Sequence, residues 1–169
     1  MDDDLADTGA PTIDSARFRQ VLGHFATGIV IVTGMDGDEP VGLTAQSFTS
    51  VSLDPPLVGF LPAKSSTSWP RVEKGGGFCV NILSAEQEDV CRAFATSGAD
   101  KFRGLGWKPG PSGSPVLEDV LGWIDCKMDT IHEAGDHLIV IGRVLELHVA
   151  DDHPGPLLFY RGGYGRFEA

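Results

Sequence analysis

Between Gly42 and Val58 the sequence sets five hydroxyl residues, Thr44, Ser47, Thr49, Ser50 and Ser52, among small and apolar neighbours. Such a run is either a solvated strand edge with turns, or a wall of hydroxyls and backbone amides that can hydrogen-bond the polar rim of a flat heterocycle. A little further on, Lys64-Ser65-Ser66-Thr67 joins a cation and three hydroxyls to the free N–H groups of a short helix expected to start near Thr67. That combination suits a phosphate, whereas Lys64 without such neighbours would be an ordinary solvated lysine. A third constellation is His132-Glu133-Ala134-Gly135-Asp136-His137. Its two imidazoles and two carboxylates invite a metal reading, yet the spacing is not the helical pair of HExxH and no distant ligand cluster completes it, so no metal is expected. No Ser-His-Asp or Cys-His arrangement is evident either, and His24, His148 and His153 have no partner motif.

The elements that would position these groups are mostly strands. Asp14 is placed to cap a helix whose Phe18, Val21, Leu22 and Phe25 form one apolar face, with Gly28 as its expected end. Ile29 to Thr33, Val41 to Thr44, Leu57 to Leu61 and Phe78 to Leu83 are short, apolar and separated by Gly, Pro and Asp, as core strands should be. Ser84 and Gln87 make a capping box for a second helix with Gln87, Val90, Cys91 and Phe94 on one face. The glycine- and proline-rich stretch from Ala99 to Pro115 reads as a loop with room to be a lid or a substrate-facing segment. In the last third, Ile124, Cys126 and Met128 alternate with Asp125, Lys127 and Asp129, Leu138 to Ile141 is continuously apolar, and Leu145, Leu147 and Val149 alternate with Glu146 and His148.

This rhythm, with few helices and no regular βαβ units, predicts a mainly β antiparallel barrel instead of a doubly wound parallel sheet. Neither GxGxxG nor GxxxxGK[ST] occurs, so a nucleotide would be held without a Rossmann fold or a P-loop. The 169 residues fit one domain, expected to run from 14 to 169 behind a disordered acidic tail, 1–13. The net charge is −11, and residues 1–14 supply five negatives and no positives. Nucleic acid is therefore a poor partner, and a phosphorylated ligand needs a local cluster of donors. No apolar run approaches the roughly 18–20 residues of a membrane helix, and Met1-Asp2-Asp3-Asp4 carries no positive charge of a secretory signal, so a cytoplasmic location is expected. Cys79, Cys91 and Cys126 are far apart in apolar stretches and read as buried thiols.

Taken in order, the Gly42–Val58 segment, Pro62-Ala63-Lys64-Ser65-Ser66-Thr67-Ser68-Trp69, Phe78 to Leu83, Lys101-Phe102, Gly135-Asp136-His137 and the closing Pro156 to Gly162 resemble the flavin reductase-like family across residues 17–167. The resemblance implies a split β-barrel of Greek-key type, a homodimer with sites near its interface, and service as the reductase of a two-component monooxygenase. By position it implies that Thr44, Ala45, Gln46, Ser47, Ser50, Val51 and Ser52 bracket a flavin ring and ribityl chain, and that Pro62, Ala63, Lys64, Ser65, Ser66 and Thr67 hold its phosphate. Asn81, Tyr160 and Arg161 would also contact cofactor. Lys101 and Phe102 either cover the flavin or nicotinamide face or are a surface lysine and a loop anchor. His137 would meet the nicotinamide, and Asp136 would orient its ring. Gln46 departs from the asparagine common in the family: the amide is kept and its reach changes. The expected activity is hydride transfer from NADH or NADPH to FMN or FAD, with reduced flavin passed to a partner oxygenase. No arginine cluster adjoins Gly135 to His137 to take a 2′-phosphate, which favours NADH, although folding could bring Arg143 or Arg161 there. Two other readings remain open: a flavin- or haem-binding barrel without turnover, and an oxidase acting on a pyridoxine-like substrate.

Overall fold

The computed structural model describes residues 12–98, 100–152 and 154–168. Most of the acidic tail predicted for residues 1–13, namely 1–11, and His153 lie outside them. Asp14 caps the first helix as expected, its carboxylate accepting from the amides of Ala16 and Arg17 at 3.2 Å. This helix, α1, is short, Ser15–Leu22, with Gly23 at its C-cap. The expected end at Gly28 is corrected: Gly28 belongs to β1 (Thr27–Gly28), which pairs with the C-terminal segment, and the intervening residues turn towards it. The helix is also unpacked, since Phe18, Val21, Leu22 and Phe25 are each more than half exposed.

The body of the protein is an antiparallel seven-stranded sheet. Its members are β2 (Val30–Asp36), β3 (Glu39–Ala45), β4 (Thr49–Leu53), β5 (Pro56–Phe60), β6 (Gly77–Ile82), β9 (Gly122–Ala134) and β10 (His137–Val149), in the spatial order β3-β2-β6-β9-β10-β5-β4. Between β5 and β6 lies α2 (Trp69–Lys74), and α3 (Glu88–Ala95) follows β6. The stretch predicted as a loop contains a small ladder, β7 (Trp107–Pro109) with β8 (Pro115–Leu117). At the end of the chain β11 (Leu157–Tyr160) and β12 (Gly163–Arg166) form a three-stranded sheet with β1. No helix among the described residues is long and apolar enough to cross a membrane.

The reason for this order is burial. β2 and β6 are apolar on both faces, and each is buried over five consecutive residues, so they take central places. One core gathers Phe60, Trp69 and Phe78, whose rings meet edge to face at 5.4 and 5.2 Å, with Val32, Val80 and Val140. A second, on the other side of β2, gathers Ile29, Ile31, Leu83, Phe94 and Leu157. The three cysteines are buried free thiols, and burial pushes Cys126 up to about 12.

Two sequence patterns fold differently from expectation. Asp125, which alternates with the apolar Ile124 and Cys126, is fully buried. Its carboxylate accepts from the Ser112 hydroxyl and amide at 2.7 Å each, so the loop between β7 and β8 covers the face that alternation assigned to solvent. Conversely Leu145, Leu147 and Val149 are exposed, by 48%, 64% and 65%. The β9–β10 hairpin closes on Gly135, whose φ of +62° is the left-handed conformation a two-residue hairpin turn demands. That turn delivers Asp136 and His137 to the site.

Candidate functional site

A cleft of about 1270 Å³ opens between α1, the end of β3, the loop between β5 and α2, the end of α3 and the β9–β10 turn. It brings together Thr44, Ala45, Gln46, Ser47, Pro62, Ala63, Ser65, Ser66, Thr67, Lys101, Asp136 and His137. These come from four separate stretches of chain, and the backbone bonds between them explain how they meet.

The loop after β5 runs alongside the β9–β10 turn almost as an added strand. The Leu138 amide donates to the Pro62 carbonyl at 3.0 Å, the Lys64 amide donates to the Asp136 carbonyl at 2.9 Å, and Ala63 bridges His137. Ser47 fastens the same loop from the other side, its Oγ accepting from the Leu61 amide at 2.9 Å. On this wall charges are matched. Lys64 Nζ lies 3.0 Å from Glu133, and His137 Nδ1 lies 2.7 Å from the Asp136 carboxylate. The His137 hydrogen bond, aided by its charge, holds Asp136 below the usual carboxylate range. With Nδ1 engaged, Nε2 is the nitrogen that His137 has free for a ligand.

The opposite wall is built around Lys101. Its ammonium donates to the Gly42 carbonyl at 3.1 Å, the Phe94 carbonyl at 3.0 Å and Ser68 Oγ at 3.0 Å. All three acceptors are neutral, and burial lowers the Lys101 pKa. A half-buried cation without a carboxylate favours an anion nearby, and Ser68, accepting from Lys101, keeps its own proton to donate. Ser66 stands likewise, accepting from the Trp69 amide at 3.1 Å. Thr44 is spent internally, donating to the Cys91 carbonyl at 2.8 Å, so it anchors α3 against β3. Gln46 Oε1 accepts from Thr27 at 3.4 Å.

Other predicted contacts lie elsewhere. Lys64 stands beside the cleft in its pair with Glu133, and the helix expected near Thr67 begins at Trp69. Ser50, Val51 and Ser52 sit on the edge strand β4, outside the cleft lining, with Ser50 and Val51 exposed and Ser52 half-buried. Asn81 is corrected from ligand contact to core brace. It is fully buried on β6, its Oδ1 accepting from the Leu117 amide at 2.8 Å and its Nδ2 donating to Thr33 Oγ1 at 3.1 Å. Phe102 packs edge to face on Phe94 at 5.0 Å, which makes it the loop anchor, with Lys101 the residue that reaches the cleft. Tyr160 and Arg161 grip the end of α1 instead: the Arg161 amide donates to the Gly23 carbonyl at 2.9 Å and Tyr160 meets His24 edge-on. Sequence reasoning missed Ser68, Ser97, Ile13, Phe18 and Arg19, all of which line the cleft. Ser68 lies in the hydroxyl-rich run from Pro62 to Trp69, whereas the periodicity of α1 does not say which structure its face meets.

Among the described residues no group of three or more His, Cys, Asp or Glu side chains is arranged to hold a metal ion. The donors that line the cleft, hydroxyls and amides with one unpaired lysine, fit a flat heterocycle bearing a phosphate.

Comparison with known proteins gives the same direction. Residues 22–168 match the model of the flavin reductase like domain. The chain is 54% identical to a flavin reductase of Pseudomonas putida over 93% of this chain and 92% of the relative. It is similar to the crystal structure of a nitrilotriacetate monooxygenase component B homologue from Mycobacterium thermoresistibile, with TM-score 0.88 and 46% identity over 90% of this chain and 86% of that one. It is also similar to an NADH:FAD oxidoreductase of Streptomyces globisporus in complex with NAD and FAD fragments, with TM-score 0.86 and 36% identity over 94% of this chain and 98% of that one.

Proposed function

The chain belongs to the flavin reductase-like family, and from that premise we propose that it transfers hydride from NADH or NADPH to FMN or FAD and releases the reduced flavin to a partner monooxygenase. The observation that carries this reading is the cleft itself. Hydroxyls and amides from Ala45 to Ser47 and Ser65 to Ser68 face a space that also receives His137 and the carboxylate-free Lys101. The chemistry belongs to the two cofactors, which exchange a hydride without a protein nucleophile.

The chain's residues supply position and charge. The Gln46 side-chain amide, of which only Oε1 is engaged, suits the polar edge of the ring system, where negative charge arrives with the hydride, while the Ser47 hydroxyl is spent on the Leu61 backbone. Ser65 to Ser68 and Lys101 suit the phosphate, and Asp136 fixes the ring of His137 so that Nε2 meets the nicotinamide at a set angle. Holding both rings in one cleft turns a two-body encounter into an oriented step. The size is compatible, since about 1270 Å³ exceeds the roughly 300–1000 Å³ of a usual small-molecule pocket.

The reading includes a single folded domain from 14 to 169, working in the cytoplasm as a split barrel whose sheet edges, β3 and β4, are not paired with each other. It also includes a homodimer. Val21, Leu22 and Phe25 on and after α1, with Leu145, Leu147 and Val149 on β10, expose apolar side chains that a second copy would cover.

Purified protein is expected to oxidise NADH only when FMN or FAD is added, in a matrix of two nicotinamides against FMN, FAD and riboflavin. Absence of flavin-dependent oxidation with every pair would overturn the reading, and flavin retained through gel filtration without turnover would favour a binding module.

A further inference from the structure

One wall of the cleft has no counterpart in the flavin-binding motifs. Ile13, just before α1, lines it together with Ser15, Phe18 and Arg19 of α1, whose spacing puts those three on one side of the helix. These side chains are not packed into the protein: Ile13 is 68% exposed and Phe18 is 55% exposed. Arg19 makes no ion pair among the described residues, although the protein carries a net charge of −11. Among the charged side chains lining the cleft, Asp136 is the one carboxylate, and it is bonded to His137. The cleft is thus locally cationic, with Arg19 at one side and Lys101 at another.

An exposed aromatic ring beside an unpaired guanidinium matches a purine base followed by a pyrophosphate. The ring offers a stacking face, and the guanidinium offers a planar fork to phosphate oxygens. We propose that Phe18 and Arg19 form the subsite for the adenosine diphosphate half of a dinucleotide, with Phe18 stacking on the adenine and Arg19 pairing with the pyrophosphate. The proposal rests on the reductase reading for the other half of the ligand. It adds a second recognition element at the α1 wall, which lets the protein distinguish a dinucleotide from a mononucleotide. The two dinucleotides that carry this half are FAD and the nicotinamide cofactor, and α1 serves whichever of them lies against it.

The test uses the full chain and ADP as the probe, measured by calorimetry, so that binding is read without turnover. Wild-type protein is expected to bind ADP, and Phe18→Ala is expected to weaken it about tenfold, the loss of one stacked base. Arg19→Ala should weaken ADP but not adenosine. Steady-state arms then assign the source. If FAD is the occupant, Phe18→Ala raises KM for FAD more than for FMN. If the nicotinamide cofactor is the occupant, it raises KM for NADH more than for reduced nicotinamide mononucleotide. No ADP binding by wild type, or unchanged ADP binding in both variants, overturns the subsite even where flavin-dependent NADH oxidation is present. ADP binding without any such oxidation would instead count against the reductase reading alone. A Phe18→Ala variant that binds ADP normally but sediments at a smaller mass would assign the ring to a contact between copies, and would also overturn the proposal.

Discussion

Lys101 lines the cleft and Lys64 stands beside it, and the two lysines are used in opposite ways. Lys64 stands in solvent against Glu133 at 3.0 Å, beside the equally matched pair of His137 and Asp136. Lys101 is partly buried and donates only to neutral oxygens, those of Gly42, Ser68 and Phe94. A charge already paired in water has little left to offer a ligand, and an exposed pair contributes about 0–1 kcal/mol. A charge held without its complement raises the local potential, and an arriving phosphate relieves it. The matched wall is thus built to orient its groups, and the unmatched wall leaves a positive charge for an anion.

The largest effect should follow from deleting the unmatched charge. Lys101→Met keeps the aliphatic stem but leaves three acceptors without their donor, so KM for flavin is expected to rise tenfold or more. Urea denaturation should show a loss of about 1–3 kcal/mol, the cost of leaving a buried acceptor unsatisfied. A variant with unchanged flavin KM would mean that the unmatched charge does not serve the flavin.

Under alkaline titration, affinity and stability should move in opposite directions. Burial lowers the Lys101 pKa below its value of 10.5 in water. In the folded protein the charge is therefore lost at a lower pH than in the unfolded chain. Through that window the unfolded state binds more protons, so the Lys101 contribution to stability rises with pH while flavin affinity falls. The Lys101→Met variant should lack both changes. Flavin KM measured from neutral to alkaline pH, beside thermal melts at the same points, reads the two together.

The matched wall predicts a smaller and more selective effect. His137→Ala removes the group that Asp136 orients, and KM for the nicotinamide is expected to rise about two- to tenfold, the value of one hydrogen bond, with flavin KM less affected. Equal loss of both would mean that the β9–β10 turn had moved, since Ala63 bridges His137 through the backbone.

The sequence made one half of this contrast visible and hid the other. Gly135-Asp136-His137 was legible because a glycine at a tight turn fixes where its neighbours go. Ser65 to Thr67 line the cleft, and their clustered hydroxyls could be seen in the sequence as candidate donors. The core strands were legible from apolar runs, which need only chain-local periodicity. Lys101 could not be ranked above Lys64, because its acceptors come from residues 42, 68 and 94, and no local pattern reports which lysine ends among carbonyls. Asn81 was misplaced for the same reason: a polar residue within an apolar strand is either a ligand contact or a buried brace, and only β8 arriving above it decides. The apolar stripe of α1 showed amphipathicity correctly, but periodicity does not say whether the covering surface is the same chain, another copy or a ligand.

The smallest expected effect is the most direct test of the asymmetry. Lys64→Ala removes a cation at the spot where sequence alone would have put the phosphate. Its side chain is 38% exposed and that of Glu133 is 82% exposed, so the pair is bathed in solvent and its loss should cost no more than about 1 kcal/mol. The backbone of Lys64 still donates to Asp136, so the loop keeps its place. Flavin KM should then change less than about threefold, since the lost charge was already neutralised. Should Lys64→Ala instead match Lys101→Met in its effect on flavin KM, Glu133 must release the lysine when flavin binds, and the division between an orienting wall and an attracting wall would fail.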